Sequence, residues 1–373
     1  MRVGIDAVPF AYEQTGIWRY LGSVLEEMQA LDASVEYVLY SPLPVVVPLR
    51  KGNWRVRTAS RSLAQRPSIW MQAILPSLLA TDKVDAFWGQ PTNLPICMRH
   101  RCFRVLTIHD LVPYVRPESM RFRTWLRMRL LLGPAARAAD AVIAVSQATA
   151  DLAFRYLGIE MDRLHVVYEA AHSAFRPVPT DQARAAVSAE FGLPPRYILC
   201  VCTIEPRKDH LTLLRALAAV PHAPLLVLAG GMGWRCEHIM AQIRAHEQVG
   251  RVRYLGRVDD AWLSVLYSGA VLSVYPSLYE GFGLPVLEAM SCGCPVLCSD
   301  SSSLPEVGGA AARYFRTGDA MALSAGLREL LDSQSVLDAM SEAGLARARL
   351  FSFRRAAQQL LEIVREGVAR QRR

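Results

Sequence analysis

The stretch from Ala270 to Met290 restricts the fold more than any other part of the chain. Ala270-Val271-Leu272-Ser273-Val274-Tyr275 is a short β-rich run closed by Pro276, and Tyr279-Glu280-Gly281-Phe282-Gly283-Leu284-Pro285-Val286-Leu287-Glu288-Ala289-Met290 follows it. Two glycines and a proline between Glu280 and Glu288 break any continuous helix and mark a loop that turns into one, so the unit reads strand, glycine loop, helix. That arrangement leaves backbone N–H groups at a helix start, at a strand's carboxyl end where an anionic or hydroxyl-rich ligand sits in parallel sheets. The same turn also serves parallel α/β proteins as a plain connection, and an acid early in a helix is favoured by the helix dipole alone. Spacing by itself leaves both readings open.

The rest of the chain repeats this alternation. Strands are expected at Met1–Val8, Val35–Tyr40, Trp54–Thr58, Val84–Trp88, Phe103–Ile108, Ala141–Val145 and His165–Tyr168, with a helix reaching about Leu31, another over Ser68–Ala80 and a long arginine-rich one over Pro117–Ala139. After a proline-dense linker at Ala171–Pro179 the pattern resumes, with strands at Tyr197–Thr203, Pro224–Gly230, Val252–Leu255, Pro295–Ser299 and Ala312–Phe315 and a closing amphipathic helix, Arg354–Val368. A chain of 373 residues, 52% hydrophobic, is long enough for two such α/β domains, each with its own core. There is no apolar run of membrane-spanning length, and the N-terminus reads as a strand rather than a signal peptide, so a cytoplasmic protein is expected. The eight cysteines show no paired metal-ribbon spacing; Cys200 and Cys202 alternate in a strand, and Cys292, Cys294 and Cys298 surround a helix end.

Three further stretches place polar residues at strand ends. Thr15-Gly16-Ile17-Trp18-Arg19-Tyr20 turns from the first strand into a helix; His109-Asp110 closes the Phe103–Ile108 strand; Glu205-Pro206-Arg207-Lys208-Asp209-His210 precedes another helix. Two adjacent cations before a helix N-terminus oppose its dipole unless an anion sits between them. A diphosphate is one such anion, with Arg207 suited to bidentate contact and Lys208 to a point charge; solvation, or pairing with Glu205 and Asp209, is the alternative. The glycines at Gly230-Gly231-Met232-Gly233 lack the Lys-Ser/Thr that would make a P-loop.

Glu280 and Glu288, set in YEGFGLPVLEAMSCG, resemble the E-x7-E signature of retaining glycosyltransferases of family 4, and Glu205–Asp209 resembles that family's E-P-R-K-N. The resemblance covers almost the full length. It implies an α/β, GT-B protein: two Rossmann-like doubly wound parallel-sheet domains facing across a cleft, expected at 1–175 and 176–350, with a C-terminal helix, 351–373, crossing back. On the family pattern, Arg207 and Lys208 hold the donor diphosphate, Glu280 the donor sugar with the N–H groups of Gly281, Phe282 and Gly283, and Glu288 the ribose. Gly16, Gly256 and Leu284 complete the donor side. His109 is expected to position the transferred sugar, so that His109, Arg207, Lys208 and Glu280 form the catalytic set. Trp18, where a second glycine is usual, is assigned to the acceptor side; Asp110 is assigned to orienting the imidazole or to the acceptor. Cys202 stands where glycine is usual and Asp209 where asparagine is, and Glu169-Ala170-Ala171 replaces a glycine-rich turn.

The motif combination most resembles bacterial mannosyltransferases that use GDP-mannose in exopolysaccharide or O-antigen assembly, with a glycan or polyprenyl-linked acceptor. Neither metal nor cofactor is expected. A UDP- or dTDP-sugar donor, a sugar-nucleotide-binding protein without turnover, and a hydrolase built on the two carboxylates are the competing readings. The net charge is +8, and between Arg99 and Arg129 eight arginines face only Asp110 and Glu118, interleaved with Phe103, Tyr114, Phe122 and Trp125. That composition fits either a solvated helix face or an anionic membrane surface on the inner side of the cytoplasmic membrane; no nucleic-acid partner is expected.

Overall fold

The computed structural model describes residues 1–11, 16–45, 47, 52–58, 69–91, 94–96, 98 and 100–373; Thr15, Ser68, Cys97 and Arg99 lie outside them. Two compact units are present, the first made of Met1–Tyr114, Phe122–Glu169 and Ser352–Arg373, the second of Val115–Arg121 and Ala170–Phe351.

In the first unit, β1 (Arg2–Asp6), β2 (Glu36–Ser41), β3 (Trp54–Thr58), β4 (Ala86–Gly89), β5 (Phe103–Ile108), β6 (Ala141–Ala144) and β7 (Leu164–Val166) form one sheet in the order β3-β2-β1-β4-β5-β6-β7. All of its pairings are parallel. Parallel strands are covered on both faces, which is why β4 and β6 read as unbroken apolar runs and are buried throughout. The helix Gly16–Leu31 lays Tyr20, Leu21, Val24, Leu25 and Met28 against the sheet.

Two helices differ from the sequence expectation. The one expected over Ser68–Ala80 opens, among the described residues, with a π-helical turn, Trp70–Ile74, before the α-helix Leu75–Thr81. Pro76 stands at the second position of the α-segment, directly after the π turn, where the change in hydrogen-bond pattern accommodates its missing N–H. The stretch Pro117–Ala139 is not one helix. Pro117–Ser119 is a 3-10 turn, Met120 is extended at φ −106° and ψ 158°, and the helix proper runs Phe122–Ala138. The Ser119 hydroxyl donates to Arg116 O at 2.7 Å, closing that turn on itself.

The helix Phe353–Arg372 starts on a Ser352 cap, whose Oγ accepts from Arg355 N–H at 3.1 Å. Its Ala356, Ala357, Leu360, Leu361, Val364 and Val368 join the first unit's core beside Val3, Tyr20 and Trp88. Gly367 lies so close to the Phe103 ring that a Cβ there would overlap it.

The second unit's strands, β8 (Tyr197–Val201), β9 (Leu225–Ala229), β10 (Val252–Gly256), β11 (Leu272–Tyr275), β12 (Val296–Ser299) and β13 (Arg313–Phe315), form an all-parallel sheet in the order β10-β9-β8-β11-β12-β13. The order reverses direction between β8 and β11, and ligands of doubly wound sheets bind at the carboxyl ends flanking such a reversal.

Gly367→Ala tests the packing of the last helix. Alanine favours a helix by about 0.5–1 kcal/mol over glycine, but the overlap with Phe103 is expected to cost about 1–3 kcal/mol. Chemical denaturation is therefore expected to show a net loss of stability, and a gain would mean that the approach is not close.

Candidate active site

Strands β8 and β11 are hydrogen-bonded neighbours, Leu272 opposite Ile198 and Ser273 opposite Leu199, so the loops leaving their carboxyl ends are held side by side. The first loop passes through a 3-10 turn, Pro206–Lys208, into the helix His210–Ala218; the second carries Glu280 into the helix Leu284–Ser291. The backbone joins them directly, since Leu278 N–H donates to Arg207 O at 2.8 Å.

Glu280 is buried at the centre. Its Oε1 accepts from Lys208 Nζ at 2.5 Å, Ser277 Oγ at 2.5 Å and Tyr275 OH at 2.9 Å, and its Oε2 from Arg207 at 2.9 Å. Arg207 also reaches Tyr279 O at 2.8 Å and Glu205 Oε1 at 2.7 Å. Lys208, itself buried, donates to Tyr275 OH at 2.8 Å. Burial pushes the Glu280 carboxyl up, but Arg207, Lys208 and the bonds from Lys208 and Ser277 outweigh it and hold it at about 2. The carboxylate is thus ionised whenever the protein is folded near neutrality.

The glycine loop is braced from behind. Ser302 Oγ accepts from Glu280 N–H at 2.8 Å, and Ser303 Oγ donates to Glu280 O at 3.1 Å and Phe282 O at 2.7 Å. Gly283 has φ 107°, and a Cβ there would stand 2.6 Å from Leu304, so conformation and space both demand glycine. Phe282 is buried edge-on against Phe351 at 5.8 Å. Glu288 is buried in the following helix, where it contributes, after burial itself, to keeping the Tyr267 phenol protonated. Gly256 ends β10 at φ 70°, its carbonyl accepting from Gly230 N–H at 2.7 Å.

Asp209 turns away from the cations and caps the next helix, Oδ1 accepting from Thr212 N–H at 3.4 Å, with a left-handed backbone at φ 49°. Burial holds its carboxyl above the usual carboxylate range. Behind it Cys202 Sγ lies 3.3 Å from His210 Nε2 and 3.7 Å from Cys200 Sγ. These three buried side chains are the grouping of possible metal ligands among the described residues, one donor short of a closed structural zinc site.

The first unit holds the other expected residues. His109, at the end of β5, sets Nδ1 2.8 Å from Glu169 Oε1 and Nε2 3.2 Å from Gln90 Oε1, with the Tyr20 ring edge-on at 4.8 Å. Asp110 does not orient the imidazole as expected: its Oδ1 accepts from Val112 N–H at 3.1 Å and stabilises its own turn, while Glu169 supplies the carboxylate. An aspartate directly after the strand is better placed to reach the backbone two residues on than its neighbour's ring. Gly16 is the exposed first residue of its helix, and Trp18 is half-buried, edge-on to Phe10 at 5.8 Å. The pairing of Arg207 with Glu205 that the sequence offered as the alternative to a diphosphate is present, at 2.7 Å, whereas Tyr275, Ser277, Gln90 and Glu169 were not singled out from sequence. Glu169 alone left a trace, as the departure from a glycine-rich turn.

Two Rossmann-like units with parallel sheets, the second carrying a cation pair on a buried glutamate beside a glycine loop at its switch point, define the GT-B glycosyltransferase class. The chain belongs to glycosyltransferase family 4: residues 15–172 match the family described as Glycosyltransferase Family 4, and residues 183–347 that described as Glycosyl transferases group 1. It is 33% identical over 378 residues to O-antigen chain mannosyltransferase B of Escherichia coli, spanning 97% of this chain and 98% of that one. Its fold is similar to that of sucrose-phosphate synthase from Thermosynechococcus elongatus (TM-score 0.80, 20% identity, 99% of both chains). It is also similar to that of WaaG, a glycosyltransferase involved in lipopolysaccharide biosynthesis (TM-score 0.73, 15% identity, 98% of this chain and 99% of that one).

Because Glu280 is held below its unfolded value, its contribution to stability is full above pH 4.5 and is lost as pH falls toward about 2. Urea titrations across that window are expected to show an acid limb of roughly 3 kcal/mol from this group, flattened in Glu280→Gln. An unchanged limb in the variant would place the acid sensitivity elsewhere.

Proposed function

We propose that the chain is a retaining mannosyltransferase that moves mannose from GDP-mannose onto a hydroxyl of a polyprenyl-diphosphate-linked oligosaccharide or another glycan in O-antigen-type polysaccharide synthesis. The observation that carries this reading is the convergence of Arg207 and Lys208 on Glu280 at the adjacent carboxyl ends of β8 and β11. Breaking the bond from the sugar's anomeric carbon to the diphosphate leaves negative charge on the leaving phosphate. Fixed cations stabilise that charge without reorganising at the moment of reaction, so the reading needs no metal.

In this mechanism the acceptor oxygen attacks from the face the diphosphate leaves, its proton passing to a β-phosphate oxygen as the carbon–phosphate-oxygen bond breaks. Neither Glu280 nor Glu288 is a nucleophile. Glu280 Oε2 retains capacity to accept from a donor-sugar hydroxyl beside Arg207, Glu288 takes the ribose, and Gly256 and Gly281–Leu284 complete the donor side. In this reading His109 is assigned to the transferred sugar, Gly16 to the donor, and Trp18 and Asp110 to the acceptor. The choice of mannose rests on the likeness to the E. coli O-antigen chain mannosyltransferase B.

The reading includes docking on an anionic lipid surface. On the helix Phe122–Ala138, Phe122 (68% exposed), Leu126 and Leu130 (63% exposed) recur every four residues and form an outward apolar stripe, flanked by exposed Arg121, Arg123, Arg127 and Arg129. Among the described residues no helix is long and apolar enough to cross a membrane.

Thermal shift with GDP-, UDP- and dTDP-sugars is expected to give its largest rise with GDP-mannose, about 2.7 kcal/mol at one hundred times the dissociation constant. Lys208→Ala is expected to lower transfer on the order of 10²–10³-fold in a folded protein; a wild-type rate in that variant refutes the assignment. Co-sedimentation is expected with phosphatidylglycerol vesicles and not phosphatidylcholine ones, weakening with salt and with Arg123→Ala/Arg127→Ala. Equal binding to both vesicles, or none, counts against docking.

A further inference from the structure

We infer that Glu169 is a positioning residue for His109, fixing a hydrogen on Nδ1 and the orientation of the ring. The inference rests on the transferase reading above. Glu169 Oε1 stands 2.8 Å from His109 Nδ1, and both side chains are largely withdrawn from solvent. An ionised carboxylate only accepts, so Nδ1 carries a hydrogen and donates it.

The second nitrogen is governed by Gln90. Its Oε1 stands 3.2 Å from His109 Nε2, while its own amide nitrogen is buried with no hydrogen-bond partner among the described residues. Exchanging the amide oxygen and nitrogen turns the N–H toward the ring, whose Nε2 then accepts. The ring is then a neutral Nδ1–H tautomer whose single Nε2 lone pair is held by the Gln90 amide, which a sugar hydroxyl must displace to bond there. Left as it stands, the amide oxygen requires a hydrogen on Nε2 as well, and the ring donates at both ends. Both arrangements keep Nδ1–H on Glu169.

The groups facing the ring come from three elements: Glu169 beyond β7, Gln90 beyond β4, and Tyr20 from the helix Gly16–Leu31, whose phenol burial keeps protonated. Tyr20, edge-on at 4.8 Å, resists rotation of the ring, so the tautomer becomes a direction as well as a charge pattern. Glu169-Ala170-Ala171 thereby acquires a purpose where the family usually has glycine: a flexible turn cannot hold an imidazole, and a buried carboxylate can.

The test uses the full chain and its Glu169→Ala and Glu169→Gln variants, with His109→Asn to assign the imidazole signals. Nitrogen-15 spectra of the wild type are expected to show His109 hydrogen-bonded at Nδ1 in one form; Glu169→Ala loses that form and mixes tautomers, and Glu169→Gln, whose amide oxygen still accepts, keeps it. In transfer assays Glu169→Ala is expected to lower kcat on the order of 10–100-fold with little change in donor KM, and Glu169→Gln less. A wild-type kcat in Glu169→Ala, a loss confined to KM, or an unchanged imidazole spectrum overturns the inference. Should the wild type transfer no sugar, the functional reading fails and the spectra still decide what Glu169 does.

Discussion

Two cations and a carboxylate, Lys208 and Glu280 buried and Arg207 partly so, converge where β8 and β11 end, and the second unit is arranged to keep them there. Withdrawing each ion costs several kcal/mol, and mutual attraction repays this only when the remaining lone pairs and hydrogens are also satisfied. Here Tyr275 and Ser277 add hydrogen bonds to Glu280 Oε1, Glu205 pairs with Arg207, and Ser302 and Ser303 fix the backbone beneath. The cluster is therefore poor evidence for stability and good evidence for preorganisation. In the proposed transfer the diphosphate would meet charges already aimed by these contacts.

The same economy appears in the glycine loop. Gly283 is left-handed and pressed on Leu304, which fixes the start of the helix Leu284–Ser291 and hence the depth at which Glu280 and Glu288 sit. In the first unit the design differs. His109 is held by one carboxylate, one amide and one aromatic edge drawn from separate elements, so its geometry depends on the whole sheet rather than on a local turn.

Much of this was legible from sequence because local rules and tertiary packing agree. Trp54–Thr58 and Phe103–Ile108 are strands to the residue, since uninterrupted β-rich runs bounded by polar turns have no competing state. Arg207, Lys208 and Glu280 were legible because an electrostatic anomaly, cations before a helix start, and a glycine-broken helix each needed an explanation. Tyr275 and Ser277 were not, since a tyrosine ending a strand and a serine after a proline look like ordinary packing and turn chemistry. Glu169 needed a contact sixty residues away in sequence to become meaningful. Of the two roles open to Asp110, support of the imidazole falls away because adjacency in sequence is not adjacency of side chains. The break at Met120 was hidden because Pro117-Glu118 reads as a helix start and the arginines and leucines after Met120 suit a helix.

The helix Phe353–Arg372 has a consequence for how the molecule is made. Its apolar side belongs to the core of the unit that leaves the ribosome first, whereas all but seven residues of the other unit lie in the single run Ala170–Phe351. During vectorial translation the earlier-born half must wait with Tyr20, Leu21 and Phe103 partly uncovered, while the later-born half has every strand it needs before the last helix emerges. Closure of the earlier-born core therefore waits on the helix Phe353–Arg372, which is made after every strand of both units.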